Sequence, residues 1–417
     1  MGTFALSRYA FTISVAAALL AGCGGSQPPI GASNAMPQRR ATALPTSSKN
    51  YQIIYAFGTS PDGAQPAGGL FEVGGMFYGT TAGGGSYTKC DVDGFFGCGT
   101  VFSLTKGGTE HVLHSFGAAS DGINPVASLI EANGTLYGTT PLGGSQNGTV
   151  FSITPSGTEK VLDTFGRKSD GDYPYAPLIS VKGKLYGTTL YGGRATRGTV
   201  FTLTPSGTEK ILHSFSGRGT GAGPLAALID VGGTFYGTTS AGGAHHAGTI
   251  FSVTSTGKEK VLHSFGGGGD GARPVASLID VNGTLYGTTL FGGTYNNCAS
   301  IGCGTVFSVT TDGTEKVLHS FGSGADGRDP SAPLVEVNGT LYGTTEYGGT
   351  YSCRYSSGCG TIFSVTTDGV ETVLHSFGSG SDGAVPLGGL IDVGGALYGT
   401  TEYGGSANLG TVFSLTP

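Results

Sequence analysis

Tryptophan is absent from the 417 residues, methionine occurs three times, and 21 basic with 27 acidic side chains make up only 12% of the chain. That is about half the charged share of an ordinary soluble domain, roughly 25%. With so few cations and a formal net charge of −6, the sequence argues against a nucleic-acid binder. No run of eighteen continuous apolar residues occurs, so no segment reads as a membrane span. H-E-x-x-H, G-x-S-x-G and Walker A motifs are missing too, which removes support from the zinc-peptidase, serine-hydrolase and nucleotide-binding classes. Glycine, by contrast, is abundant at 80 residues. The glycines recur at fixed places beside Val, Ile, Leu, Phe and Tyr, so a packed core is available and both collagen and disorder are excluded.

The first fifty residues read as an address and a tether. Arg8 precedes an apolar run, Ala10 to Leu20, of the length of a signal-peptide core. The run ends in Leu20-Ala21-Gly22-Cys23, which resembles the lipobox of bacterial lipoproteins. The resemblance implies cleavage after residue 22 and acylation of Cys23; ordinary secretion with Cys23 as a spectator is the alternative. Residues 24–50 are rich in Gly, Ser, Pro, Gln and Ala and read as a flexible spacer. The expected organisation is a signal peptide over residues 1–22, a lipidated N-terminus and linker over 23–50, and a repeat domain over 51–417. The expected location is extracytoplasmic, at the outer membrane or cell surface.

Leu-Tyr-Gly-Thr-Thr or a close variant recurs with its tyrosine at Tyr78, Tyr137, Tyr186, Tyr236, Tyr286, Tyr342 and Tyr398, at spacings of 59, 49, 50, 50, 56 and 56. A full unit runs Asp-Gly-x-x-Pro, Leu-Ile-x-Val, Leu-Tyr-Gly-Thr-Thr-x-x-Gly-Gly, Gly-Thr-Val-Phe-Ser-Val-Thr and Glu-Lys-Val-Leu-His-Ser-Phe, which supplies four short β-rich runs. Asn133-Gly134, Asn282-Gly283 and Asn338-Gly339 sit where a two-residue hairpin demands positive φ. Four antiparallel strands per unit, seven times over, predict a seven-bladed β-propeller. Kelch and WD40 blades lean on a signature tryptophan that this chain lacks.

The array opens on Tyr51 to Phe57, a lone copy of the Val-Leu-His-Ser-Phe strand, and the seventh unit stops after its third strand. The N-terminal strand is therefore expected to complete the last blade and close the ring. An open stack would need polar capping repeats, and none is present. By analogy with other propellers closed this way, Leu-Ile-x-Val is the innermost strand and Val-Leu-His-Ser-Phe the outermost. The fourth-to-first and second-to-third loops then share one face, which carries most of the length variation.

The run Leu-Tyr-Gly-Thr-Thr-x-x-Gly-Gly followed by Gly-Thr-Val-Phe-Ser-Val-Thr, as in residues 285–309, resembles the repeat of bacterial choice-of-anchor tandem-repeat, GloVer-containing proteins, and the resemblance covers residues 51–417. It implies an exported protein held at the cell surface, in agreement with the lipobox, and it carries no catalytic residue to transfer.

Six cysteines beyond Cys23 form three local pairs in second-to-third-strand loops: Cys90 with Cys98, Cys298 with Cys303, and Cys353 with Cys359. They lie in the units with the long spacings, so each pair is expected to staple an inserted loop as a disulfide in an oxidising compartment. Zinc is a weaker reading, because the pairs sit in different blades without a second ligand pair. No recognised calcium loop occurs, and no metal or cofactor is expected.

Six aspartates, Asp62, Asp121, Asp170, Asp270, Asp326 and Asp382, precede Gly in the fourth-to-first loops and are read as turn residues bonding backbone amides. His114, His213, His263, His319 and His375 recur on the outermost strand and are read as packing or rim-solvating side chains. A ligand site is best sought where blades differ on the variable face. Blades three to five place Arg167, Lys168, Arg194, Arg197, Arg218, His245, His246 and Arg273 there, whereas Asp91, Asp93, Glu346 and Glu402 come from blades one, six and seven. Tyr191, Phe291, Tyr347 and Tyr403 precede Gly-Gly in the same loops, with Tyr87, Tyr173, Tyr175, Tyr295, Tyr351 and Tyr355 nearby. They either pack the loops or stack on sugars or a partner.

The leading expectation is a lipid-anchored binding or scaffolding module for a polysaccharide or protein. The alternatives are a polysaccharide lyase or glycosidase using Glu346 and Glu402 as its carboxylates, and a purely structural surface protein.

Overall fold

Burial on both faces makes Gly-Thr-Val-Phe-Ser the third strand of every blade. In Thr305–Thr310 the residues Thr305, Val306, Phe307 and Val309 are buried, a near-continuous inside pattern that suits a strand between two neighbours. The computed structural model describes residues 50–417 apart from 88–89, 93–94, 119–120, 145–146, 168–169, 218, 267–268, 296–297, 299–300, 324 and 354–357. The signal peptide, Cys23 and nearly all of the linker therefore lie outside the described residues, as do Lys168, Arg218, Asp93 and Tyr355.

The described residues form seven four-stranded antiparallel sheets, the blades of a β-propeller. Blade 1 consists of Phe71–Val73, Met76–Thr81, Thr100–Thr105 and Glu110–Ser115, hydrogen-bonded in that order. Blades 2 to 6 repeat this order over 130–164, 179–214, 229–264, 279–320 and 335–376. Blade 7 takes three strands from 391–415 and its outermost from the N-terminal strand Tyr51–Ala56, which pairs with Thr411–Leu415. The ring closes as expected. First strands of neighbouring blades touch, Ile130–Ala132 with Ile179–Val181 and Val335–Val337 with Ile391–Val393, which sets them innermost.

The hairpin between first and second strands has both central residues at positive φ, for instance Asn133 (54°) with Gly134 (77°) and Asn282 (53°) with Gly283 (82°). This is the turn an Asn-Gly pair favours.

Adjacent blades meet through one repeated aromatic contact. The Phe closing each fourth-strand motif stands edge-on to the third-strand Phe of the next blade, as in Phe116–Phe151 at 5.1 Å, Phe215–Phe251 at 5.0 Å and Phe321–Phe363 at 5.0 Å. The ring-closing seam has its own copy, Phe57–Phe102 at 5.2 Å. The Gly of Leu-Tyr-Gly-Thr-Thr makes room for the third-strand ring. A Cβ on Gly79 would lie 2.5 Å from Phe102 Cζ, and one on Gly187 2.6 Å from Phe201 Cζ.

Both threonines of the motif are buried and bonded. Thr81 Oγ1 gives its proton to Gly83 O at 2.8 Å, so it accepts from the Thr100 hydroxyl, also at 2.8 Å. Thr80 Oγ1 donates to Ala127 O of the following blade at 2.9 Å, and Thr400 Oγ1 closes the circle on Gly68 O at 3.0 Å.

If the closing seam is equivalent to the others, Phe57→Ala and Phe215→Ala should each cost about 3–5 kcal/mol, the usual range for emptying a buried aromatic site. Urea unfolding of the two variants checks this. A loss at Phe57 far below that at Phe215 would show the ring to be open.

Candidate functional site

The fourth-to-first and second-to-third loops share one face, because they pair with each other. Asp172 lies opposite Tyr191, Ala272 opposite Phe291, Arg328 opposite Tyr347 and Ala384 opposite Tyr403 in two-residue ribbons. Blade 4 keeps only the bridge Ala222–Ala241. The residue three after each loop Asp, or after Thr220 in blade 4, adopts a left-handed conformation: Gln65, Asn124, Tyr173, Gly223, Arg273, Asp329 and Val385. For Val385, at φ 57°, this is costly. Hydrogen bonds hold it there: its N–H donates to Cys359 O at 2.8 Å, and its carbonyl accepts from Glu402 N at 3.0 Å.

The three expected cysteine pairs are disulfides, Cys90–Cys98, Cys298–Cys303 and Cys353–Cys359, with Cα separations of 5.0, 5.2 and 5.3 Å.

Of the cationic candidates, Arg194, Arg197, His245 and His246 are exposed. Arg194 lines an open groove of about 570 Å³ together with Ile211, Leu212, His213 and Ser214 of the blade 3 outer strand. Tyr191 is 38% exposed and stands edge-on to Tyr173 at 6.0 Å. Arg273 is half-buried above the Phe291 ring at 5.3 Å, and burial holds its guanidinium below the ordinary value. Phe291, Tyr347 and Tyr403 are half-buried and so pack the loops more than they present themselves. Glu346 is half-buried and Glu402 is 6% exposed; their amides bond Asp329 O and Val385 O.

The division of the face into a basic and an acidic side is less clean than the sequence suggests, because blade 6 also carries Arg328, above Tyr347 at 5.3 Å. Beside it, burial pushes Asp329 up to about 6. Neither residue stood out in the sequence.

The aspartates do fill a turn role: Gly122 N–H donates to Asp121 Oδ1 and Gly171 N–H to Asp170 Oδ1, each at 2.7 Å, and Gly266 N–H donates to Asp270 Oδ1 at 2.9 Å. Their other oxygen does something the sequence reading missed. Asp121 Oδ2 bonds His114 Nε2 at 2.9 Å, Asp270 bonds His263 at 3.0 Å, Asp326 bonds His319 at 3.1 Å and Asp382 bonds His375 at 2.9 Å. A glutamate opening the outer strand of the next blade completes three of these seams, as His114–Asp121–Glu159, His263–Asp270–Glu315 and His319–Asp326–Glu371. The signal was present in the constant seven-residue step from His to Asp and in the recurrent Glu, which lies a repeat away.

Other seams depart from the set. Tyr55 and Asp163 replace His in two of them, Thr220 replaces Asp in a third, and in the seam between blades 6 and 7 Tyr51 stands in place of Glu, stacked on His375 at 4.0 Å. Burial and then the Asp170 and Asp163 carboxylates push Glu209 up to about 8. Burial and then Asp62 push Glu110 up to about 7.

The Gloeobacter/Verrucomicrobia repeat family matches the chain over residues 41–251, 86–301 and 232–417. No curated protein matches it. Among solved structures, the gluconolactonase of Xanthomonas campestris aligns at 13% identity with a TM-score of 0.37, covering 64% of this chain and 78% of its own. A puromycin-hydrolyzing peptidase of Mycobacterium tuberculosis aligns at 11% identity with a TM-score of 0.48, covering 86% of this chain and 53% of its own.

The raised carboxyls give stability a definite pH dependence. Folding lifts Glu209 from 4.5 to about 8, so the folded chain holds a proton that the unfolded chain releases. The stabilisation is complete below about pH 4.5 and is lost as pH rises through about 8. In chelator, the melting temperature should fall from pH 5.5 to pH 8.5, and Glu209→Gln should flatten that fall and raise the value at pH 8.5. An unchanged slope in the variant would refute the assignment.

Proposed function

Because the chain belongs to the Gloeobacter/Verrucomicrobia repeat family, we propose that it is an extracytoplasmic, lipid-anchored binding module whose loop-rich face recognises an acidic polysaccharide. The observation that carries this reading is the blade 3 loop. Exposed Tyr191, Arg194 and Arg197 lie together there, with Arg194 on the rim of the open groove along the outer strand. A tyrosine ring offers a stacking surface for a sugar, and two guanidinium groups offer two-pronged donors for carboxylate or sulfate. An open groove suits an extended polymer better than a small enclosed substrate. The burial of Glu402 keeps that carboxyl from a polymer lying on the face, which disfavours Glu346 and Glu402 as a hydrolytic pair. Three disulfides accord with an oxidising compartment, and the Leu20-Ala21-Gly22-Cys23 signal accords with an anchor.

Two experiments test the reading. Acidic polysaccharides should bind the full chain more tightly at low than at high salt, and Arg194→Glu with Arg197→Glu should weaken binding at least tenfold without lowering the melting temperature. Equal binding by the variant, or binding only to a protein ligand, would overturn the polysaccharide assignment. Separately, Cys23→Ser should move the protein from the membrane fraction to the soluble extracytoplasmic fraction; unchanged membrane association would defeat the anchor.

A further inference from the structure

We propose that three blade seams are binding sites for a divalent transition cation of the zinc type, each built from His and Asp of one blade and Glu of the next. The sets are His114, Asp121 and Glu159; His263, Asp270 and Glu315; and His319, Asp326 and Glu371, and in each the three donor atoms lie within 4.8 Å of one another. Donors about 2.0–2.2 Å from one ion lie no more than about 4.4 Å apart, so a pair at the outer limit of that spacing must draw in by a few tenths of an ångström on binding.

Three independent features of the seams point to a cation. The glutamate Oε1 atoms of Glu159, Glu315 and Glu371, like those of Glu110, Glu209 and Glu259 in the seams that lack the full set, are buried and have no hydrogen-bond partner, although a buried carboxylate oxygen ordinarily has one. Among the described residues, only in these three seams do a His and an Asp stand beside that oxygen as further donors. The aspartates are fixed in place: Gly122 N–H and Gly327 N–H hold one oxygen of Asp121 and Asp326 at 2.7 Å, and Gly266 N–H holds one of Asp270 at 2.9 Å. The other oxygen of each faces the imidazole. Finally, each set gathers two carboxylates against one imidazole, and a dication balances that charge.

An imidazole with two carboxylates selects a borderline cation such as Zn²⁺ over Ca²⁺, which takes six to eight oxygens. Binding requires that the imidazole carry its proton on Nδ1, that Nε2 exchange its bond to the aspartate for the metal, and that both carboxyls be ionised, so any proton held in the seam is released to solvent. The histidine side chains are 17–21% exposed in these seams, which leaves a way in for the ion. An ion held there would link adjacent blades at the outer end of the seam.

The remaining seams supply controls within the same chain. The seam of His213 and Glu259 lacks only the aspartate, since Thr220 stands at that position and its Oγ1 accepts from Ser216 N–H at 3.0 Å, much as Asp270 Oδ1 accepts from Gly266 N–H.

The test uses the full chain without an affinity tag, stripped with EDTA, exposed to Zn²⁺ or Co²⁺ and freed of unbound metal. Three equivalents should remain by elemental analysis, with Co²⁺ giving a visible absorption band for each site. Glu315→Gln should remove one equivalent, and the triple change Glu159→Gln, Glu315→Gln and Glu371→Gln should remove all three. Thr220→Asp should add a fourth, and this gain decides the matter if the triple variant fails to fold. Absence of retained metal, the same metal content in a folded triple variant, or three equivalents after Thr220→Asp would overturn the proposal and leave a shared proton as the occupant of these seams.

Discussion

Everything in the molecule depends on one contact, the edge-to-face meeting of two phenylalanines across each blade seam with a glycine cut away beside them. Aromatic pairs in this geometry are worth about 0.5–1.5 kcal/mol beyond their buried area, and the chain makes the contact at every seam, from Phe57–Phe102 to Phe377–Phe413. The glycine is as necessary as the rings. A methyl group on Gly399 would sit 2.6 Å from Phe413 Cζ, so the tip of the ring lies against the backbone of the second strand. The seam is filled by a phenyl ring and the space of a missing Cβ. Seven of the 80 glycines, one in the second strand of each blade, serve this contact.

Polar groups repeat the same logic at both ends of the seam. On the inner side the first threonine of Thr-Thr bonds a carbonyl of the next blade, and the second satisfies its own blade's loop. At the outer end the glutamate of one blade meets the aspartate of the previous one. Bringing two carboxylates together in a half-buried place is unfavourable unless a proton, an imidazole or a cation intervenes. Each seam uses the partners its sequence supplies. Tyr51, which fills the glutamate position of blade 7, avoids the problem by stacking on His375, so the seam between blades 6 and 7 receives no second carboxylate from the partner strand.

Much of this was legible in the sequence, because repetition made each unit a check on the others. Ring closure followed from a fourth strand missing at one end and present at the other, and the disulfides from pairs confined to the longest units. What escaped was contact between repeats. The histidines and aspartates were each visible as recurrent residues, but nothing in the local pattern said that His114 reaches Asp121 while Glu159 arrives from the next blade. The left-handed position escaped for a different reason. Gln65, Asn124, Tyr173, Arg273, Asp329 and Val385 share no side-chain chemistry, and what unites them is an amide bonded to the loop of the preceding blade and, in all but Asn124, where Pro141 has no N–H to give, a carbonyl bonded from the end of the second strand.

That clasp also explains why the candidate site lies on blade 3. The residue whose carbonyl receives the left-handed amide is Cys98, Cys303 or Cys359 where the loop is long, and Asn147, Arg197, Ala247 or Leu409 elsewhere. Only the backbone of this residue is constrained, so its side chain is free to vary. In the long loops it turns inward as a buried disulfide partner, with Cys98 at 1% and Cys303 and Cys359 at 0% exposure. In blade 3 the loop is short, no staple is needed, and the same position carries the exposed guanidinium of Arg197. A ring that must repeat its seams leaves variation to such positions, where the fold fixes the main chain and leaves the side chain open to solvent.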